Sequence, residues 1–194
     1  MDLFSILAEY FDLPILEWIA NNLRCGFLDA VMPVITLLGD AGIFWIAIAA
    51  ILLFIPKYRK IGLGMGTALI IGLLVCNVTM KPLFARPRPY DYPLLHFGTE
   101  IQLLIEAQHD FSFPSGHTLA SFEAATVLAI HNWKMGIPAL ILACLIALSR
   151  LDLYVHSPTD VLFSGAMGIG FGFLGNFLVG KGLDLYRKKT GKTL

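Results

Sequence analysis

Three short polar clusters interrupt an otherwise apolar chain: Lys81 with Arg88 and Pro89; Pro114, Ser115, Gly116 and His117; and Ser149, Arg150, His156 and Asp160. If the cations Lys81, Arg88 and Arg150 converge, they need a compensating anion with several oxygens, and phosphate meets that need. Pro114 to His117 reads as a helix start, with Ser115 as N-cap and Gly116 allowing the backbone close to a ligand. The amides and dipole of that helix start would point at the same anion. His156 and Asp160 are four positions apart, which on a helical turn lets the carboxylate accept the imidazole Nδ1 proton. The tautomer is then fixed with Nε2 free to attack. His117, on a different element, can protonate the departing oxygen. The chemistry these residues imply together is phosphoryl transfer through a phosphohistidine.

The elements that must position these residues are membrane spans. Of 194 residues, 57% are hydrophobic and 14% charged, and the mean hydropathy is +0.73, which excludes an ordinary soluble domain. Fourteen Lys and Arg balance fourteen Asp and Glu, so no global field draws nucleic acid, and nucleic-acid binding is disfavoured. Ile61 to Met80 and Val161 to Gly180 are uncharged runs of twenty residues, each long enough to cross the hydrocarbon core. Ala41 to Pro56 and Met135 to Ser149 are shorter uncharged runs, and Thr118 to Ile130, apolar but for Glu123, lengthens if its helix starts near Ser115 and runs to His131. The N-terminal forty residues predict an interfacial helix followed by a helix entering the membrane. Ala30 to Pro56 is either one helix broken around Gly39 and Asp40 or preceded by a sixth span. The expected fold is an all-α polytopic membrane helix bundle with five or six transmembrane helices and an N-terminal interfacial helix, forming a single domain over residues 1–194.

Sidedness follows from the basic residues. Lys57, Arg59 and Lys60, then Lys134, then Lys181, Arg187, Lys188, Lys189 and Lys192 make up nine of the fourteen, and alternating spans put all nine on one side. The positive-inside rule makes that side cytoplasmic, together with the C-terminus. Lys81, Arg86, Arg88 and Arg150 then face outward against the rule, which argues that function keeps them there. The pairs Gly62 with Gly66 and Gly168 with Gly172 have the small-x-x-x-small spacing of close helix packing, read first as packing within the bundle and second as a homodimer face. Cys25, Cys76 and Cys144 are isolated, so neither a disulfide framework nor a zinc site is expected.

The patterns K-x6-R-P (Lys81 to Pro89), P-S-G-H (Pro114 to His117) and S-R-x5-H-x3-D (Ser149 to Asp160) together resemble the type-2 phosphatidic acid phosphatase superfamily, in its integral-membrane branch. All eleven specified positions match in order, across residues 81–160. The resemblance implies His156 as nucleophile, Asp160 as its orienting partner and His117 as general acid. It implies Lys81, Arg88, Ser115, Gly116 and Arg150 as holders of the phosphate oxygens. It also implies no cofactor and no metal, and a lipid mono- or diphosphate as substrate at the outer face of the plasma membrane. Undecaprenyl diphosphate, phosphatidylglycerophosphate, phosphatidate and lipid A fit such a site equally. A lipid-linked phosphotransferase using the same site is the nearest alternative, and a non-catalytic anionic-lipid binder or transporter is the alternative from another class.

Several residues carry competing readings. Ser157 to Asp160 is also an S-x-x-D helix start with Pro158 in the first turn, which needs no catalysis. Arg86 adds to the anion field without a motif position, while His96, His109 and His131 are expected to be solvated. Glu123, six positions after His117, points to another helix face, where a packing hydrogen bond to a neighbour such as Asn77 competes with a functional role. Ile101, Leu104 and Ile105 share a helical face, so Tyr90 to Phe113, with Tyr92 and Phe97, is expected to include a helix, read either as an interfacial helix that shapes lateral lipid entry or as an ordinary surface loop helix.

Overall fold

The structure, a computed structural model, describes residues 3–92 and 101–191. All its regular elements are helical: α1 (Leu3–Leu7), a π turn (Ala8–Asp12), α2 (Leu13–Asn22), α3 (Gly26–Leu37), α4 (Ile43–Phe54) and α5 (Arg59–Gly72). A π segment (Leu73–Met80), α6 (Lys81–Phe84), α7 (Gly116–His131), α8 (Trp133–Asp152) and α9 (Pro158–Thr190) follow. Among the described residues, four helical runs are long and apolar enough to cross a membrane: Gly26–Phe54, Pro56–Phe84, Trp133–Asp152 and Pro158–Thr190. The outer faces of these runs are exposed and apolar, as at Ile51, Phe54, Ile70, Val78, Ile141, Leu162 and Phe173. Lipid is the solvent that tolerates such a surface.

Helix α7 has 16 residues, a rise of about 24 Å, short for a lipid-exposed span. It does not need that length, because it is the core of the bundle, packed between α8 and α9 and touching α5. Nine of its residues are buried, among them Ser121, Glu123, Ala124, Ala125 and Val127. Close approach to α7 depends on glycine. A Cβ on Gly168 would lie 2.7 Å from the Leu119 carbonyl oxygen, and one on Gly172 would lie 2.7 Å from Thr126 Cβ. Gly62 likewise faces the Ala49 carbonyl at 2.6 Å, whereas Gly66 has open space beside it. Three of the four spaced glycines are thus spent on packing within the chain.

The stretch around Gly39 and Asp40 is a break. Asp40–Gly42 form a 3-10 turn in which Ala41 (φ 47°) and Gly42 (φ 67°) are left-handed, and α4 restarts at Ile43. Of the two alternatives, Ala30 to Pro56 is therefore the broken helix. Broken backbone at membrane depth is tolerated where protein or a cavity satisfies it, and this turn packs on α7. The N-terminal stretch turns Ala8, Asp12, Leu16 and Ile19 inward, and packs against α8 and the start of α9. Its Tyr10 and Trp18 stay exposed.

One expectation is overturned in part. Residues 101–115 contain no helix; Ile105 instead packs with Met32, Leu153 and Val155, and the Tyr90 hydroxyl donates to the Gln108 carbonyl at 2.9 Å. Pinning single residues to different neighbours outweighs the amphipathic spacing of Ile101, Leu104 and Ile105. The expectation for Phe97 lies outside the described residues.

Candidate active site

Four segments deliver polar side chains to one end of the bundle, and in three of them a left-handed residue interrupts the helical backbone nearby. Ala85 (φ 44°) ends α6 ahead of Arg86 and Arg88, Tyr154 (φ 60°) precedes His156, and Ala41 follows Asp40. Left-handed non-glycine residues each cost about 1 kcal/mol or more, so the packing must hold them in place.

Lys81, Arg88, Gly116, His117, Arg150 and His156 all line one cavity of about 580 Å³. Its other arm is apolar, walled by Ile46, Ala49, Gly66, Leu69, Ile70 and Leu73. Arg150 is 1% exposed; its Nη1 donates to Thr36 Oγ1 at 2.6 Å, while Nε and Nη2 have no partner. Arg88 Nη1 donates to the Val155 carbonyl at 2.6 Å and approaches His156 Nε2 at 3.3 Å. A guanidinium has no acceptor, so Nε2 must be the unprotonated nitrogen and Nδ1 carries the proton. Burial, followed by the charges of Arg88, Arg150 and Lys81, holds the His156 imidazole well below its ordinary range. His156 is therefore neutral around neutral pH.

His117 stands across the cavity with Nε2 3.4 Å from Asp40 Oδ1. The close approach needs Gly39, where a Cβ would lie 2.7 Å from His117 Cδ2. Asp110 reaches in from the loop before α7 and pairs with both Lys81 and Arg88. Burial pushes its carboxyl up, but the two cations outweigh this and hold it at about 2.

Two expected site residues stand off the cavity. Ser115 does begin α7, but its amide donates to Ser164 Oγ at 2.8 Å and its hydroxyl lies 3.0 Å from Thr118 Oγ1. Asp160 lies behind His156, with Oδ2 3.6 Å from Nδ1, beyond hydrogen-bond length. His156 precedes α9 rather than sharing a helical turn with Asp160, and Ser157 to Asp160 form the capping box, with the Ser157 amide donating to Asp160 Oδ2 at 2.9 Å. The cap and the proximity to His156 coexist in one carboxylate.

Arg86 is not in the anion field: it is fully buried, lies outside the cavity wall and bonds Asp160 Oδ1 at 2.5 Å and Asp12 Oδ2 at 2.6 Å. His109 is exposed at the cavity rim, as expected of a solvated histidine, whereas His131 Nε2 lies 2.6 Å from Asn176 Oδ1. His96 lies outside the described residues. Glu123 is buried at the cavity wall beside Gly72, and neither carboxylate oxygen has a partner; the bond to Asn77 is not made. Thr36, Asp40 and Asp110 went unnoticed in the sequence, and only Asp40, beside a helix break, carried a local signal.

The PAP2 superfamily profile matches residues 61–181. The undecaprenyl-diphosphatase of Sulfolobus acidocaldarius is 33% identical over 131 residues, 67% of this chain and 61% of that protein. The undecaprenyl-diphosphatase BcrC of Bacillus subtilis is 32% identical over 147 residues, 76% of this chain and 72% of that protein. The chain thus spans less than two thirds of the length of the Sulfolobus protein. The crystal structure of the first transmembrane PAP2 type phosphatidylglycerolphosphate phosphatase from Bacillus subtilis superposes with a TM-score of 0.71 at 28% identity, over 92% of both chains.

Proposed function

The chain belongs to the PAP2 superfamily, and on that footing we propose that it is an integral membrane phosphatase that removes the terminal phosphate of a lipid mono- or diphosphate. The observation that carries this reading is the two-part cavity: a cationic head with unpaired Arg150 nitrogens beside His156, continuous with an apolar arm. An amphiphile with a phosphate head and a hydrocarbon tail matches both parts.

In this reading a phosphate oxygen takes the hydrogen bond that Arg88 Nη1 now offers His156 Nε2, and Lys81 and Arg150 neutralise the remaining oxygens. Nε2 attacks phosphorus, the N–P bond forms as the P–O bond to the lipid breaks, and His117 supplies the proton to the departing oxygen. Water, deprotonated by His117, then cleaves the N–P bond and releases inorganic phosphate. The charge gained by the imidazole faces Asp160. Gly116 lends backbone space at the head, and Ser115 serves by fixing the start of α7.

The whole chain acts here as one membrane-embedded unit. The basic residues at the opposite end of the spans support an extracytoplasmic site in the plasma membrane with a cytoplasmic C-terminus. The relatives' names supply two substrate classes, a polyprenyl diphosphate and phosphatidylglycerophosphate, and both carry the required head and tail.

The test is phosphate release by detergent-purified wild type and His156→Ala from a panel of lipid mono- and diphosphates, with EDTA present. Wild type is expected to release phosphate and the variant to lose about 10³-fold or more. A folded wild type that releases none from any lipid, or an active His156→Ala, overturns the reading.

A further inference from the structure

Behind the cavity lies a buried chain of charges in which Asp160 alone belongs to the three sequence motifs. Arg86, fully buried, places Nη1 against Asp160 Oδ1 at 2.5 Å and Thr159 Oγ1 at 2.7 Å, and Nη2 against Asp12 Oδ2 at 2.6 Å. Asp12, 1% exposed, also accepts from the Thr159 amide at 2.9 Å and from its hydroxyl at 2.8 Å. It thereby satisfies a free N–H in the first turn of α9, which the internal capping box leaves open. The Phe4 ring covers the guanidinium, with Cζ 4.9 Å from its centroid. Ser112 is tied to the same unit twice: its amide donates to the Arg86 carbonyl at 2.9 Å and its hydroxyl to Asp160 Oδ2 at 2.5 Å.

We propose that Asp12 and Arg86 form a clamp that positions Asp160, and through it the His156 ring, making the N-terminal helical stretch a working part of the site. Arg86 grips Oδ1 of Asp160, leaving Oδ2 to Ser112, to Ser157 and to the side facing His156 Nδ1. Two carboxylates around one guanidinium leave one net negative charge, placed where a phosphorylated imidazole becomes positive. Asp12 holds the far end of the guanidinium and the backbone of the residue before Asp160, so α9 cannot turn relative to Arg86 without breaking both. Arg86 and Asp12 are positioning residues: neither lines the cavity.

The inference rests on the phosphatase reading, and its test separates the two. Full-length Asp12→Asn/Arg86→Gln, Asp12→Asn and Arg86→Lys are compared with wild type in detergent for kcat, KM, inhibition by orthovanadate and thermal unfolding. Removing both charges keeps the unit at one net negative charge, with Asp160 still accepting from Ser112 and the Ser157 amide, and Asp12→Asn alone keeps the Arg86–Asp160 pair and an acceptor for the Thr159 amide if the double variant does not fold. The double variant is expected to lose about 10- to 100-fold in kcat, with KM and vanadate inhibition within about two-fold of wild type. Asp12→Asn is expected to lose a smaller part of kcat, and Arg86→Lys to recover most of what the double variant loses. Unchanged kcat in the folded variants overturns the clamp, and so does a raised KM with unchanged kcat, which would make Arg86 a phosphate ligand. If wild type releases no phosphate at all, the phosphatase reading fails, and the clamp is decided by amide exchange over residues 157–164. Faster exchange in Asp12→Asn supports the clamp, and identical exchange overturns it.

Discussion

The wall of the cavity and the wall behind it use the same residue types to opposite ends. In front, Lys81, Arg88 and Arg150 crowd three cations around one exposed carboxylate, Asp110, and two nitrogens of Arg150 have no partner. Behind, the buried Asp160 carboxylate accepts from Arg86, Ser112 and the Ser157 amide, and Asp12 accepts from Arg86 and Thr159. The front is short of acceptors and the back is nearly saturated. A surface that must exchange partners during a reaction gains from keeping its donors unsatisfied, while a support gains from having no alternative partner.

The strongest test of that contrast is Arg150→Met. If the front trades stability for function, phosphate release should fall by about 10²-fold or more while thermal stability in detergent holds or rises, because a buried cation with unpaired nitrogens is removed. Lost stability with retained activity would make Arg150 part of the support. A smaller effect is expected from Asp110→Asn. Held at about 2, Asp110 stays ionised at any working pH and competes with phosphate for Lys81 and Arg88. Vanadate and inorganic phosphate should inhibit the variant about five- to tenfold more strongly. Weaker inhibition would mean that Asp110 aims the two cations instead. The mildest change is Gly66→Leu, which projects into open space at the apolar arm. Release from long-chain lipid phosphates should drop about three- to tenfold with short-chain analogues unchanged, and an equal drop for both would place the tail elsewhere.

What could be read in the sequence divides along the same line. Lys81, Arg88, His117, Arg150 and His156 announce themselves because local spacing carries them, and all five meet at one cavity. The apolar runs are legible as helices because lipid imposes length and composition on them directly. The back wall is not legible. Asp12 reaches Thr159 across 147 positions, and nothing near Asp12 distinguishes it from Glu9 or Glu17 on the same amphipathic stretch. Arg86 sits two residues from Arg88 and has the same charge, but past the left-handed Ala85 the chain is irregular, and Arg86 bonds Asp160 while Arg88 approaches His156 Nε2. The segment from Ile101 to Pro114 misleads for a related reason. Its apolar spacing suits a helix, yet the Tyr90–Gln108 and Arg86–Ser112 hydrogen bonds fix it as irregular chain.

Helix α7 also bears on how such a chain is made. With 16 residues, buried Thr118, Ser121 and Thr126, and an acidic side chain near its centre, it is a poor candidate to leave the translocon alone. Charge at a span centre costs about 3 kcal/mol on insertion scales, and α7 is too short to offset it. Asn132 alone separates it from α8, and Gly136 of α8 lies directly against Ala129. The two helices are therefore expected to enter the bilayer as one hairpin, with α8 shielding what α7 cannot show to lipid, and a chain truncated after His131 should then fail to integrate α7. On that expectation, the helix that begins beside His117 settles only once the chain as far as Arg150 has emerged.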